Sequence, residues 1–251
     1  MIDCIIVKPS LKGRNAMPDI VLVYFILIIG ACLQCVIGFG LGLLCVPILY
    51  WLMPQLVPAP MILNALFITA LLATKHRGAI DMKQTGYSIL GGSIGVLIAA
   101  VVMLLIDPER YRLLLGGCLL FAVGLSLTGW SPRITRLSNL IASIASGFIG
   151  TTTSAGGAPM GLLYQAQHKD KVKANLSIFF VFINLFGIIA LLVTGSADMK
   201  DIMLFLQCLP AILIGWGASY FVNNSINEKA TRRLIILVAS FSALALIFIH
   251  R

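Results

Sequence analysis

Two short segments carry residue types suited to holding a ligand rather than reacting with it. The first is Gly38-Phe39-Gly40-Leu41-Gly42, running on to Pro47; the second runs from Gly147 through Thr151-Thr152-Thr153-Ser154 to Gly156, Gly157 and Pro159. Glycines alternating at 38, 40 and 42 cannot share a helical face, so their expected use is to unwind the chain and let a ligand or helix approach the backbone. Pro47 and Pro159 are expected just inside the start of the half-helix after each break, where a missing N–H is harmless. Such half-helices aim unpaired N–H groups and a positive dipole end at the break, and two converging make an anion site. Thr151, Thr152, Thr153 and Ser154 add hydroxyl donors, and Gln34, Asn64 and Asn184 add amides near the same depth. The competing reading is packing: Gly, Ser and Thr occur wherever membrane helices approach closely, and a buried Asn ties helices together. Two Gly/Pro breaks at matching places in one chain favour a site over packing.

Other chemistry has less support. No Ser/His/Asp set, HExxH or phosphate-binding loop is present, so the chain reads as a non-enzyme needing no metal or cofactor. Cys32 and Cys35 sit at helical spacing; an inert packing pair is the favoured reading and a thiol redox protein the alternative. His76 and His168 border basic loops, and His76 and Asp81 are the candidates for proton coupling.

These segments must be positioned by membrane helices. The chain of 251 residues is 59% hydrophobic and 11% charged, with a mean hydropathy of +1.01, far from globular usage. Stretches 20–74, 84–106, 113–132, 137–168, 174–197, 202–227 and 234–250 contain no Asp, Glu, Lys or Arg. Each is long enough to cross a bilayer. The net charge of +9 comes from short clusters at expected helix ends, such as Lys75/Arg77/Lys83 and Lys169/Lys171/Lys173. That is the pattern of membrane-loop charge, and it excludes nucleic acid as a partner. Helices are expected near 19–37, 59–75, 85–106, 110–129, 137–150, 174–194, 201–221 and 231–249, with half-helices near 43–53 and 157–167.

The order of features occurs twice. A broken segment, a helix with a buried-type Asn, an Asp-Met-Lys turn and a Gly-rich helix appear in each half, with Asn64 paired to Asn184 and Asp81 to Asp198. The expected architecture is an all-α polytopic membrane protein, one transmembrane domain over 1–251. It comprises a basic lead (1–18) and two internal repeats (19–130 and 131–251), with seven to eight transmembrane helices. Seven crossings, with the second break re-entrant, satisfy the positive-inside rule better than eight.

At Gly38–Leu49 and Gly156–Pro159 the chain resembles the sulfite exporter TauE/SafE family, through a G-x-G-x-G…V-P-x-L segment and a second Gly-rich segment ending in G-G-x-P. The resemblance covers nearly the whole chain. It implies a carrier of sulfite or of organosulfonates, alkyl or aryl, in the bacterial inner membrane, with a small sulfur-containing anion and membrane lipid as partners and a homodimer as an admissible assembly. Thr151–Ser154 stand where many relatives carry more glycine, which makes hydroxyl donors more plausible here. The expectation is a secondary transporter working by alternating access between the repeats, with an anion channel as the alternative.

Overall fold

The computed structural model describes residues 16–127 and 132–222, with positions 237 and 240. The basic lead and the helix expected near 231–249 fall almost wholly outside the described residues. Those described form nine α-helices and no strand: α1 (Ala16–Ile37), α2 (Leu41–Leu52), α3 (Ala59–Lys75), α4 (Met82–Leu105), α5 (Pro108–Leu127), α6 (Arg136–Thr153), α7 (Gly157–Tyr164), α8 (Lys169–Val193) and α9 (Met199–Val222). Five segments among them, Asp19–Ile37, Met82–Leu105, Arg110–Leu127, Asp170–Val193 and Met199–Val222, are long and apolar enough to cross a membrane.

The helices are apolar all round, so core and lipid faces are sorted by size. On α4 the inward face is Gly91, Gly92, Gly95, Ala99 and Ala100, whereas Leu90, Ile94, Leu97 and Val101 are exposed. The small face lets α6 approach until a Cβ on Gly147 would overlap the Gly92 carbonyl, the close packing of helices in lipid. Large exposed hydrophobic side chains continue on α8 at Phe182, Leu185 and Ile189, a surface that only a hydrocarbon solvent makes favourable. Polar caps mark the ends. The Asp81 side chain accepts from the Gln84 N–H at the start of α4, and Thr135 and Ser138 form a capping box on α6.

Both breaks are three residues long, Gly38–Gly40 and Ser154–Gly156, and at both the chain doubles back. Gly30 of α1 faces both Leu41 and Cys45 of α2, and the Cys45 thiol reaches back to the Ile26 carbonyl at 3.4 Å. Likewise the Ser146 hydroxyl of α6 donates to the Gly156 carbonyl, and Tyr164 at the end of α7 returns to the level of Asn139 near the start of α6. The seven-crossing arrangement anticipates a re-entrant second break; the structure makes hairpins of both. α1 packs on α9, α4 on α6, and α3 on α8.

The bundle has two ends. At one, the Asp81 end, the starts of α4, α6 and α8 meet the end of α7: Lys171 pairs with Asp81 at 3.2 Å, and the Gln167 amide donates to Gln84 at 3.2 Å. The ends of α3 and α9 join them, with the Lys75 ammonium 4.0 Å over the Tyr220 ring. The other, the Asp198 end, holds the α8–α9 turn and the turn before α3.

Candidate functional site

The tips of the two hairpins meet. Gly38 and Gly40 hold φ of 96° and 129°, values that favour glycine, and Ser154 is left-handed at φ 61°. These turns let Gly42 lie against the second break so closely that a Cβ there would overlap the Ser154 carbonyl oxygen. Phe39 in turn lies against Gly157 and Gly161 of α7. Between the tips is a cavity of about 30 Å³, lined by Gln34, Gly40, Gly42, Ser154, Gly156 and Gly157, with Asn184 and Phe180 from α8 and Ser146 from α6. It has room for about two waters.

Each expected residue has a definite place. Gln34 braces the first break: its Oε1 accepts the Leu41 N–H at 3.1 Å, and its Nε2 contacts the Gly38 carbonyl at 3.4 Å. This cap starts α2 at Leu41, earlier than expected, so Pro47 lies at its seventh position rather than in its first turn. There it removes an N–H from the ladder that would otherwise pair with the Leu43 carbonyl. Pro159 is the third residue of α7, in its first turn. Gly38 lies next to the cavity, without lining it.

The threonines belong to α6 rather than to the break. The Thr152 hydroxyl donates to the Phe148 carbonyl at 2.8 Å and the Thr153 hydroxyl to that of Ile149 at 2.7 Å, the back-bonding that Thr makes within helices. Thr151 faces Gly187 of α8. Of the four hydroxyl residues only Ser154 lines the cavity, and its hydroxyl donates to the Pro58 carbonyl at 2.8 Å. Asn64 is fully buried beside the cavity-lining Ala65; its Nδ2 donates to the Pro60 carbonyl at 2.9 Å and its Oδ1 has no partner. His76 and Asp81 lie at the Asp81 end, away from the cavity.

The unpaired donors of the cavity-lining residues are therefore mostly backbone. Gly42 and Leu43 in the first turn of α2, and Gly157 in that of α7, have N–H groups without intrahelical acceptors. Asn184 adds a side-chain amide. Phe180, Ile183 and Ser146 are lining residues that the sequence reading does not name. Helical periodicity held the signal, because 180, 183 and 184 share one face of α8.

Lys173, which the sequence places in the basic cluster Lys169/Lys171/Lys173 and not at the site, stands one position before a charge-free stretch. In the structure α8 starts at Lys169, so Lys173 is in its second turn, with Cγ 3.7 Å from where a Cβ on Gly38 would be.

Comparison with curated proteins and with solved structures returned no match. The sulfite exporter TauE/SafE family matches over residues 22–246, which takes in both hairpins, the cavity between their tips and every described helix from α2 onward, and the chain belongs to that family of membrane transporters.

Proposed function

We propose that the protein is a secondary carrier for sulfite or an organosulfonate, that the cavity between the hairpin tips is its anion site, and that access alternates between the two ends. The observation carrying this reading is the backbone contact of the two breaks, Gly42 against Ser154, around a cavity faced by the first turns of α2 and α7. Neutral N–H donors at helix starts hold an anion without a fixed countercharge, so the anion can also leave. Phe39 and Phe180 give the cavity an apolar wall suited to the carbon side of a sulfonate.

Two features support alternating access. Exchanging α1–α4 with α6–α9 carries the packing onto itself: α1 on α9 becomes α6 on α4, and α3 on α8 is unchanged. This fits one transmembrane domain built of halves 19–130 and 131–251. The ends also differ in a way that two access states require. At the Asp198 end an open cavity of about 400 Å³ is lined by Gln55, Val57, Ser196 and Asp198. At the Asp81 end the Lys171–Asp81 pair, and Asn175, whose Oδ1 accepts the Asp81 N–H at 2.8 Å, tie the starts of α4 and α8 together. Lys75, Arg77, Lys83, Arg136 and Lys171 sit at the Asp81 end, against Arg110, Arg112 and Lys200 at the other. The positive-inside rule therefore makes the Asp81 end cytoplasmic, in a bacterial inner membrane.

The test is uptake of radiolabelled sulfite, sulfoacetate and an arylsulfonate by proteoliposomes, with counterflow and planar-bilayer recording in parallel. Saturable counterflow is expected. Unitary conductance without counterflow would assign a channel, and absence of any flux would refute the reading.

A further inference from the structure

We propose that Phe39 sorts the anions the site accepts by size, its ring occupying the space that an aryl substituent would need. The proposal rests on the anion-carrier reading above and adds the residue that determines which substrates fit.

The cavity between the hairpin tips, about 30 Å³, has room for about two waters. An anion bearing a carbon substituent therefore enters only where a wall gives way. Much of the wall is backbone held by close packing: Gly42 meets the Ser154 carbonyl, and a Cβ on Gly156 would overlap the carbonyl of Ser146. Most of the large apolar side chains in the wall are locked as well. Leu41 packs on Gly30 of α1, Ile183 on Gly92 of α4, and Phe180 edge-on against Phe179 with ring centroids 5.1 Å apart. These three and Leu43 are buried. Phe39 is only partly buried, and it stands at the tip of the first hairpin between two glycines of positive φ, Gly38 and Gly40.

The Phe39 side chain lies in a notch made by two glycines one turn apart on α7. A Cβ on Gly157 would come within 2.7 Å of the Phe39 Cβ, and one on Gly161 within 2.5 Å of its Cε1. The middle residue of the other break is Ala155, buried beside Gly42. The two tips are thus unequal, a phenyl ring on one and a methyl group on the other. Contact between the tips needs only small residues, as Ala155 beside Gly42 demonstrates, so contact alone does not account for a ring at position 39. A size limit does. The ring stands on the cavity wall, while the unpaired N–H groups of Gly42, Leu43 and Gly157 face the anion's oxygens. Selectivity of this kind is steep, because one methylene in a close-fitting pocket changes it by about 10–200-fold.

The experiment measures uptake of radiolabelled sulfite, methanesulfonate and benzenesulfonate by proteoliposomes. Wild type is compared with Phe39→Ala, Phe39→Leu, Gly161→Ala, the Phe39→Ala/Gly161→Ala double variant and Phe182→Ala on the exposed face of α8. The readout is the ratio of kcat/KM for each sulfonate to that for sulfite, from which the amount of folded protein cancels. Wild type should prefer sulfite to methanesulfonate and methanesulfonate to benzenesulfonate. Phe39→Ala should raise the benzenesulfonate ratio by about tenfold or more, and Phe39→Leu by less. Gly161→Ala, which pushes the ring out of its notch, should lower the methanesulfonate ratio, and the double variant should reverse that loss. Phe182→Ala should keep the wild-type ratios. A Phe39→Ala protein with wild-type ratios, or a wild type that takes benzenesulfonate as readily as sulfite, overturns the proposal and leaves the carrier reading intact. An equal shift in Phe182→Ala overturns it too. If Phe39→Ala does not fold, Phe39→Leu with unchanged ratios does the same. Wild-type protein that moves none of the three anions overturns the carrier reading, and the proposal with it.

Discussion

A single hydrogen atom at position 42 decides whether the two breaks can touch. Any Cβ on Gly42 would occupy the space of the Ser154 carbonyl, so Gly42→Ala should abolish transport and lower the melting temperature by several degrees, since overpacking costs about 1–3 kcal/mol. Gly217→Ala on α9 meets nothing within 4 Å. It should leave transport intact and stabilise by about 0.4–1 kcal/mol through the unfolded chain. Thermal unfolding of the two variants in detergent checks both, and equal destabilisation would contradict the geometry. His76 offers a pH test at the same scale. Burial and the neighbouring lysines favour its neutral form, holding its pKa below the ordinary 6.5. Its contribution to stability is full above that ordinary value and is lost as pH falls through the lowered one. His76→Gln should remove this component from the acid limb of a stability–pH curve, and Lys173→Gln should move the His76 titration upward in NMR of labelled histidine.

The helices illustrate what pattern alone can reach. Long uncharged runs place α3, α4, α5 and α9 within a few residues, because a bilayer demands about 20 apolar residues whatever packs around them. Their ends are set by local hydrogen bonds, which hydropathy does not report. Gln34 captures the Leu41 N–H and starts α2 ahead of Pro47; back-bonded hydroxyls keep Thr152 and Thr153 inside α6. The start of α4 is testable in this light. Asp81 accepts the Gln84 N–H and pairs with Lys171, and these two, in that order, hold its carboxyl below the usual range. Its stabilisation is present above the ordinary carboxylate pKa and is lost as pH falls through the lowered value. Asp81→Ala should cost about 1 kcal/mol as a lost N-cap, and Asp81→Asn, which still caps, much less. Chemical denaturation in mild detergent separates them; equal losses would assign the effect to the Lys171 pair.

At the scale of the whole molecule the asymmetry of the two ends predicts their accessibility. Ser196 lines the open cavity, whereas Asn175 is fully buried. A membrane-impermeant maleimide should therefore modify Ser196→Cys readily and Asn175→Cys slowly. Adding Lys171→Gln, which removes the Lys171–Asp81 ion pair at that end, should speed labelling of Asn175→Cys and slow that of Ser196→Cys if the two ends report one equilibrium. Independent rates would argue against coupled access.

The sequence by itself determined the solvent, the helices and the two places where helices fail. Those properties follow from composition and from residues near in sequence: uncharged runs, Gly and Pro. The tertiary structure decided that both breaks fold into hairpins whose tips touch, that Thr152 and Thr153 turn their hydroxyls to their own helix while Thr151 faces Gly187 of α8, and that Lys173 packs on Gly38. Each depends on which helix lies beside which. That choice is made by small faces such as Gly92 against Gly147, where a difference of one methyl group, invisible to hydropathy, fixes how near two backbones can come.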